Sequence, residues 1–292
     1  MADRSGAAGE RWHRPGVLRS LWLGGTRVSY VPDGELRLPP AAAFPAAGAE
    51  FWAARPEYLD DSGLLVLGIG ALLVERGDRC LLIDAGFGAE ARPLLPDVPG
   101  SVIRGGALLA GLAELGRRPQ EIEAVAVTHL HPDHLGWAWR PAPDGGAPVF
   151  AHADHLVAAS EWAARDDGGP SEEAAALAPY VRTVTDGQEV FPGVRVRITG
   201  GHTAGHAEYL IEGGGRRLIA FGDAMHSPVQ VVHPEWRLAV DHDPVLAAAH
   251  RTRLIRELTE PDVLGFGLHF ADVVFGRVAS GGDGPAWCPV DA

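Results

Sequence analysis

Hydrophobic positions in this chain fall into short continuous runs and a few helical stripes, separated by glycine, proline and charged residues. The run LLVLGIGALLVERGDRCLLIDAG, residues 64–86, predicts two buried strands joined by a turn at RGD, the second ending at Asp84 and Gly86. GGALLAGLAELG predicts an amphipathic helix closed by Gly116, and EIEAVAVTH a strand that runs straight into His129. VRVRITG, HAEYLIE, RRLIAFGD and VLGFGLH predict further strands, with EGGGRR as a hairpin turn. HADHLVAASEWAARD and DPVLAAAHRTRLIRELTE predict helices. The Pro- and Ala-rich stretch 31–63, with Phe44, Phe51 and Trp52 scattered through it, predicts a long ordered loop or short helices.

Strands and helices alternate through the chain, which places it in the α/β or α+β class. No repeat period and no change of composition divides it, so one domain over residues 1–292 is expected. Within that domain, 1–63 supplies an N-terminal strand and a loop that would cap the functional site. The polar residues fall in a telling place: His129, His202, Asp223 and His269 each follow an apolar strand candidate. Strand ends from one edge of a sheet can converge on a single point.

Composition narrows the partners. With 38 acidic against 25 basic residues the net charge is -13, which repels polyphosphate backbones and anionic membrane surfaces, so nucleic acid is excluded as a partner. The N-terminus has no apolar leader, and GLLVLGIGALLVE is too short and too interrupted by glycine to span a bilayer. Cys80 and Cys288 are too few for a disulfide framework and fit a reducing cytoplasm. Lysine and asparagine are both absent, which removes Schiff-base lysines, P-loop lysines and asparagine oxyanion donors from consideration. A small-molecule substrate is the expected partner, and the composition is compatible with a monomer or a homodimer.

The densest chemistry lies in HLHPDH, which puts His129, His131, Asp133 and His134 into six positions. In an extended segment His129 and His131 point the same way and can share one ion, while Pro132 turns the chain and aims Asp133 and His134 at a second point. Three imidazoles and a carboxylate suit a borderline metal such as zinc.

HLHPDH resembles the HxHxDH signature of the metallo-β-lactamase superfamily, and later pieces match that family in order. DAGFG resembles its strand-end Asp-Gly element, GGHTAGH its third histidine motif, FGDAMH its bridging aspartate and GLHF its last histidine. The likeness covers about residues 65 to 270. It implies a four-layer αββα sandwich with a two-metal site along one edge. It further implies that His129, His131 and His202 hold one zinc, that Asp133, His134 and His269 hold the other, and that Asp223 bridges them, with iron or manganese as other ions the set accommodates. Two such ions, about 3.5 to 4 Å apart, share a hydroxide and polarise a substrate oxygen, so the implied reaction is hydrolysis. Asp133 would orient the hydroxide and take up its proton. Asp84 reads as a partner that hydrogen-bonds the ligand loops, and His206 as structural. Trp137 and Trp139 read either as core or as walls of a substrate pocket.

Within the superfamily, penicillin-type hydrolases recruit lysine and asparagine, which this chain lacks, and nuclease branches need a basic surface. Glyoxalase-type thioesterases hold glutathione on a basic helical C-terminus, unlike the ending VASGGDGPAWCPVDA. The oxygen-reducing diiron branch usually replaces a first-motif histidine with glutamate, whereas His131 is present. The order of elements after Asp223 is most similar to the branch of acyl-homoserine lactonases and methyl-parathion-type hydrolases. Lactonases there usually carry tyrosine three residues after the bridging aspartate, and this chain has His226, a candidate catalytic donor. The expected function is a dinuclear hydrolase of a small, largely apolar ester, lactone or related acyl or phosphoryl substrate. Alternatives are an iron-dependent oxidoreductase on the same scaffold, a thioesterase or β-lactamase-type hydrolase, and a non-catalytic binding module.

Overall fold

Alternation along the central strands sorts their side chains onto two faces. In the computed structural model, which describes residues 9–142, 145–167, 171–281 and 284–290, Leu72 and Val74 of the strand Leu65–Arg76 enter one apolar cluster, while Ala71 and Leu73 enter another. Leu81 and Ile83 against Cys80 and Leu82 repeat the pattern on Arg79–Ile83. Strands buried on both faces need a layer on each side.

The inner cluster lies between two sheets. The first runs in the order Ala91–Pro93, Val102–Arg104, Thr26–Leu38, Leu65–Arg76, Arg79–Ile83, Ala124–Ala126, Asp154–Ala158, Val181–Val184, with Arg19–Leu23 also paired to Thr26–Leu38. The second runs Glu189–Phe191, Val194–Ile198, Ala207–Gly213, Arg216–Ala220, Val263–Phe266, Phe275–Gly281, Gly284–Pro289. Outside the first sheet, Leu108 and Leu112 of the helix Leu108–Glu114 and Leu135 of Pro132–Trp139 cover Leu73, Leu82 and Val125. Outside the second, Leu254, Ile255 and Leu258 at the end of Pro244–Glu257 cover Ile219, Phe221 and Val263. The layers are αββα, the sandwich that the motif order implies.

Topology brings the strand ends together. Val194–Ile198 is antiparallel to Ala207–Gly213, which is antiparallel to Arg216–Ala220, itself parallel to Val263–Phe266. Three strands therefore run the same way and release His202, Asp223 and His269 at one edge of the sheet. In the facing sheet, Arg79–Ile83 and Ala124–Ala126 are parallel and release Asp84 and His129.

Three expectations need correction. HADHLVAASEWAARD is not one helix: Asp154–Ala158 is a strand paired in parallel with Ala124–Ala126 and Val181–Val184, and only Ala159–Ala163 is helical. Pairing to a buried neighbour overrides the helix propensity of its alanines. The stretch 31–63 is not loop throughout, because Thr26–Leu38 continues as a long strand against Leu65–Arg76, and the helices Pro40–Ala43 and Ala49–Ala53 follow. Finally, Pro132 does not merely bend the chain; it opens the helix Pro132–Trp139, where its missing N–H costs nothing. Among the described residues no helix is long and apolar enough to cross a membrane.

Candidate metal centre

Asp223 follows the strand Arg216–Ala220 and is buried at the meeting edge of the two sheets. Its oxygens divide the surrounding histidines. Oδ2 lies 3.3 Å from His202 Nε2 and 3.6 Å from His129 Nε2, and Oδ1 lies 3.1 Å from His269 Nε2 and 3.2 Å from His134 Nε2. His131 joins the first set through Nδ1, 2.9 Å from His129 Nε2 and 3.1 Å from His202 Nε2. Asp133 joins the second, with Oδ2 3.7 Å from His269 Nε2 and 3.8 Å from His134 Nε2. The structure thus brings all seven expected ligands together as two adjoining groups, His129–His131–His202–Asp223 and Asp133–His134–His269, each close enough to hold an ion, with Asp223 Oδ1 reaching His134 and His269 of the second.

Hydrogen bonds around the rim fix which nitrogen faces inward. His269 Nδ1–H donates to the Gly68 carbonyl at 2.7 Å, His134 Nδ1–H to Asp84 Oδ2 at 2.9 Å, and His202 Nδ1–H to Asp241 Oδ1 at 3.0 Å. Thr128 Oγ1 donates to Asp84, which leaves its lone pair to accept His129 Nδ1–H at 3.0 Å. Each of these rings consequently turns its Nε2 toward the centre, the arrangement that outer carboxylates and carbonyls impose on metal-binding histidines. Nitrogens that converge in this way around a buried carboxylate call for positive charge, from protons or from metal ions. His134 Nε2 and Asp223 Oδ1 are buried and make no hydrogen bond, and ligands of one tetrahedral ion with arms of about 2.0–2.1 Å sit roughly 3.3 Å apart. The donor set fits two metal ions.

Charge follows the same plan. Burial alone would raise the Asp223 pKa, but the imidazoles of His269, His134, His226 and His129 outweigh it and hold the carboxyl well below the usual range. Burial and the neighbouring His134 push His129 well below its ordinary value, which keeps it neutral and able to donate a lone pair.

Several residues hold the ligand loops from behind. Asp84, at φ 61°, accepts the Thr128 backbone N–H as well as the Thr128 hydroxyl and His134, as its strand-end position suggests. His206 is structural, its Nε2 accepting the Asp223 N–H at 3.0 Å. Sequence reasoning missed others. Glu161 accepts the Leu130 N–H at 3.0 Å, the Thr203 hydroxyl at 2.7 Å and the Gly205 N–H at 2.8 Å, tying the HLHPDH loop to the HTAGH loop. Asp33, in a bulge of Thr26–Leu38, accepts from the N–H groups of Phe87, Gly88, Gly106 and Leu108 and from Trp137 Nε1. Fully buried Arg251 bonds Asp241 at 3.2 Å behind His202. None of these stands in a histidine motif, so only the fold reveals them. Gly136 explains the glycine after HLHPDHL: a Cβ there would sit 1.9 Å from the Phe87 carbonyl carbon.

A cavity of about 280 Å³ opens onto the centre, where Asp133, Asp223, His226 and His269 form its floor. Its walls are apolar: Leu36, Leu38, Leu67, Leu94, Ile103 and Leu238. From the stretch 31–63, Leu36, Leu38, Ala42 and Ala43 line it, while Phe44, Phe51 and Trp52 pack behind them against Leu65 and Val229. Trp137 and Trp139 are core, packed under the first sheet. His226 stands where its spacing places it, Nε2 3.0 Å from Asp223 Oδ2 and Nδ1 buried without a partner.

Comparison with known proteins agrees with this geometry. An N-acyl homoserine lactonase from Bacillus sp is 26% identical over 159 residues, 51% of this chain and 60% of that protein. AidC, a dizinc quorum-quenching lactonase solved with the product N-hexanoyl-L-homoserine, superposes with a TM-score of 0.79 at 21% identity, covering 94% of this chain and 98% of that one. A hydrolase of the beta lactamase superfamily, AbOPH, superposes at 0.76 with 24% identity over 95% of this chain and 98% of its own. A probable metal-dependent hydrolase from Staphylococcus aureus gives 0.77 at 21% identity over 93% and 99%. The profile of the Metallo-beta-lactamase superfamily matches residues 66–267, and those residues carry the central strands of both sheets and every ligand motif but the last histidine. The chain belongs to the metallo-beta-lactamase superfamily.

Proposed function

We propose that this chain is a dinuclear metal-dependent hydrolase that cleaves a small ester or lactone with an apolar acyl part. The observation that carries the reading is the division of the histidines by the two oxygens of Asp223. In this reading His129, His131 and His202 hold one ion, Asp133, His134 and His269 the other, and Asp223 both. Zinc suits the nitrogen-rich set, and iron or manganese compete for it. Two such ions, when bound, make water acidic enough to attack at neutral pH and polarise the substrate oxygen.

The protein's own groups would do the rest. Asp133 lies on the cavity floor at the start of its helix, where its carboxylate can orient the attacking water and accept its proton. Leu36, Leu38, Leu94 and Ile103 receive the acyl chain and exclude bulk water, which strengthens every charge interaction at the floor. The N-terminal stretch acts as a cap through Leu36, Leu38, Ala42 and Ala43. His226, whose Nε2–H donates to Asp223 Oδ2 at 3.0 Å, would share that hydrogen with the substrate oxygen on which charge develops. The similarity to lactonases supports an acyl substrate, and the small apolar cavity supports a short to medium acyl chain.

The test is a panel of acyl-homoserine lactones, simple esters, thioesters, a penicillin and a phosphotriester, run on protein reloaded with zinc, manganese or iron. Metal-dependent cleavage of esters or lactones is expected. Oxygen consumption by the iron form without hydrolysis would replace the reading with an oxidoreductase.

A further inference from the structure

We infer that the substrate carries an anionic group at the far end of its apolar chain, and that Arg92 receives it. This rests on the hydrolase reading and names its substrate class more closely.

Arg92 lies on the short edge strand Ala91–Pro93 and, among the described residues, is the one guanidinium lining the apolar cavity. It also lines the adjoining open cleft with Arg37, Ser101 and Arg104. The two spaces therefore both border Arg92, one largely apolar and leading to the proposed metal ligands, the other more polar and open to solvent.

The neighbouring charges differ in how they are matched. Arg37 bonds Glu35 at 3.0 Å and Asp60 at 3.1 Å, and Arg104 bonds Glu35 as well, so these two cations face two carboxylates. Arg92 lies 3.3 Å from Glu90, but Glu90 is also taken by Arg140. This network of four guanidiniums and three carboxylates carries an excess positive charge, in a chain whose net charge is -13. Arg92 Cζ stands 5.5 Å from the Phe87 ring centroid, which holds the guanidinium over an aromatic face, while its side chain stays 51% exposed. A guanidinium half in water at the mouth of an apolar channel is placed to pair with a carboxylate that has passed along that channel's wall. A purely apolar chain gains nothing from it. Simple steric closure of the cavity would need no charge.

The test uses pairs that differ only at the far end: ethyl hexanoate against monoethyl adipate as substrates, and hexanoate against adipate as ligands in calorimetry. Zinc-loaded protein should favour the adipate member about three- to tenfold in both kcat/KM and Kd, with the preference shrinking as salt rises. Arg92→Gln should erase the preference and Arg92→Lys should restore part of it, with hexanoate handled alike by all three. Equal handling of the pair by the unmodified protein, or a preference that survives Arg92→Gln, overturns the inference, as does failure of both carboxylates to bind. If neither ester is cleaved but adipate binds more tightly in an Arg92-dependent way, the anion site stands and the ester-hydrolase reading falls.

Discussion

The imidazole of His226 lies face to face with that of His269, ring centroids 5.3 Å apart and planes 8° from parallel. One ring belongs to a proposed ligand and the other faces the same carboxylate, so His226 is held at the floor of the cavity rather than in its wall. A donor that acts on developing charge lowers the barrier without tightening ground-state binding. His226→Ala should therefore reduce kcat by about a hundredfold, with KM and metal content little changed. Asp223, His226 and His269 are also close enough to hold an ion together. Loss of a metal ion from the variant would make His226 a ligand instead.

The hydrogen bonds of Glu161 go to Leu130, Thr203 and Gly205 and not to a proposed ligand side chain, yet its carboxylate joins the two loops that carry His129, His131 and His202. All three of its partners are donors, so an amide in its place would turn an N–H against one of them. Glu161→Ala should weaken metal affinity by roughly 10- to 100-fold in chelator competition, and Glu161→Gln by less. Unchanged affinity in both would show the loops to be held elsewhere.

Gly136 packs against backbone that cannot move aside. The nearest atoms to an added Cβ are the Phe87 carbonyl carbon and oxygen and the Gly88 nitrogen, at 1.9, 2.0 and 2.4 Å. Gly136→Ala should cost about 3 kcal/mol or more, read as a fall in unfolding free energy with loss of metal uptake. A variant as stable as the parent would mean that the helix and the Asp84–Gly88 turn can part freely.

His155 is fully buried against Tyr180, and burial pushes its imidazole down to about 4 from the ordinary 6.5. The folded chain refuses a proton that the unfolded chain accepts. Its neutral ring therefore supports the fold fully above about pH 6.5, and that support is lost as pH falls toward about 4. Over that window the loss amounts to roughly 2–3 kcal/mol. His155→Leu should flatten the acid limb of the stability curve by that amount, measured by denaturation at matched metal content. Parallel curves for the two proteins would show that His155 does not titrate on unfolding.

The cluster of proposed ligands was legible because its chemistry is local: HLHPDH, GGHTAGH, FGDAMH and GLHF each place a metal-seeking side chain just beyond an apolar run. The two-sheet sandwich followed from the family likeness, and the alternation of Leu72 and Val74 against Ala71 and Leu73 supplies its physical reason. What stayed hidden depends on contacts between distant segments. Glu161 reaches across to Gly205, Asp33 gathers five N–H groups from three separate segments, and Arg92, Leu94 and Ile103 meet the cavity only because an edge hairpin folds onto Thr26–Leu38. HADHLVAASEWAARD misled because local alanine content favours a helix, while Val125 and Thr183 hold its first half in a sheet. Trp137 follows the ligands in sequence but turns away to bond Asp33.

Metal content per chain tests the central claim most directly, since everything proposed for the site rests on Asp223 joining two ion-binding groups. Elemental analysis of protein dialysed against trace-free buffer should find close to two ions in the unmodified chain, close to one in His269→Ala, and loss of both from tight binding in Asp223→Ala, because the bridging carboxylate belongs to each set. A single tightly held ion in the unmodified protein, unaffected by His269→Ala, would contradict the account.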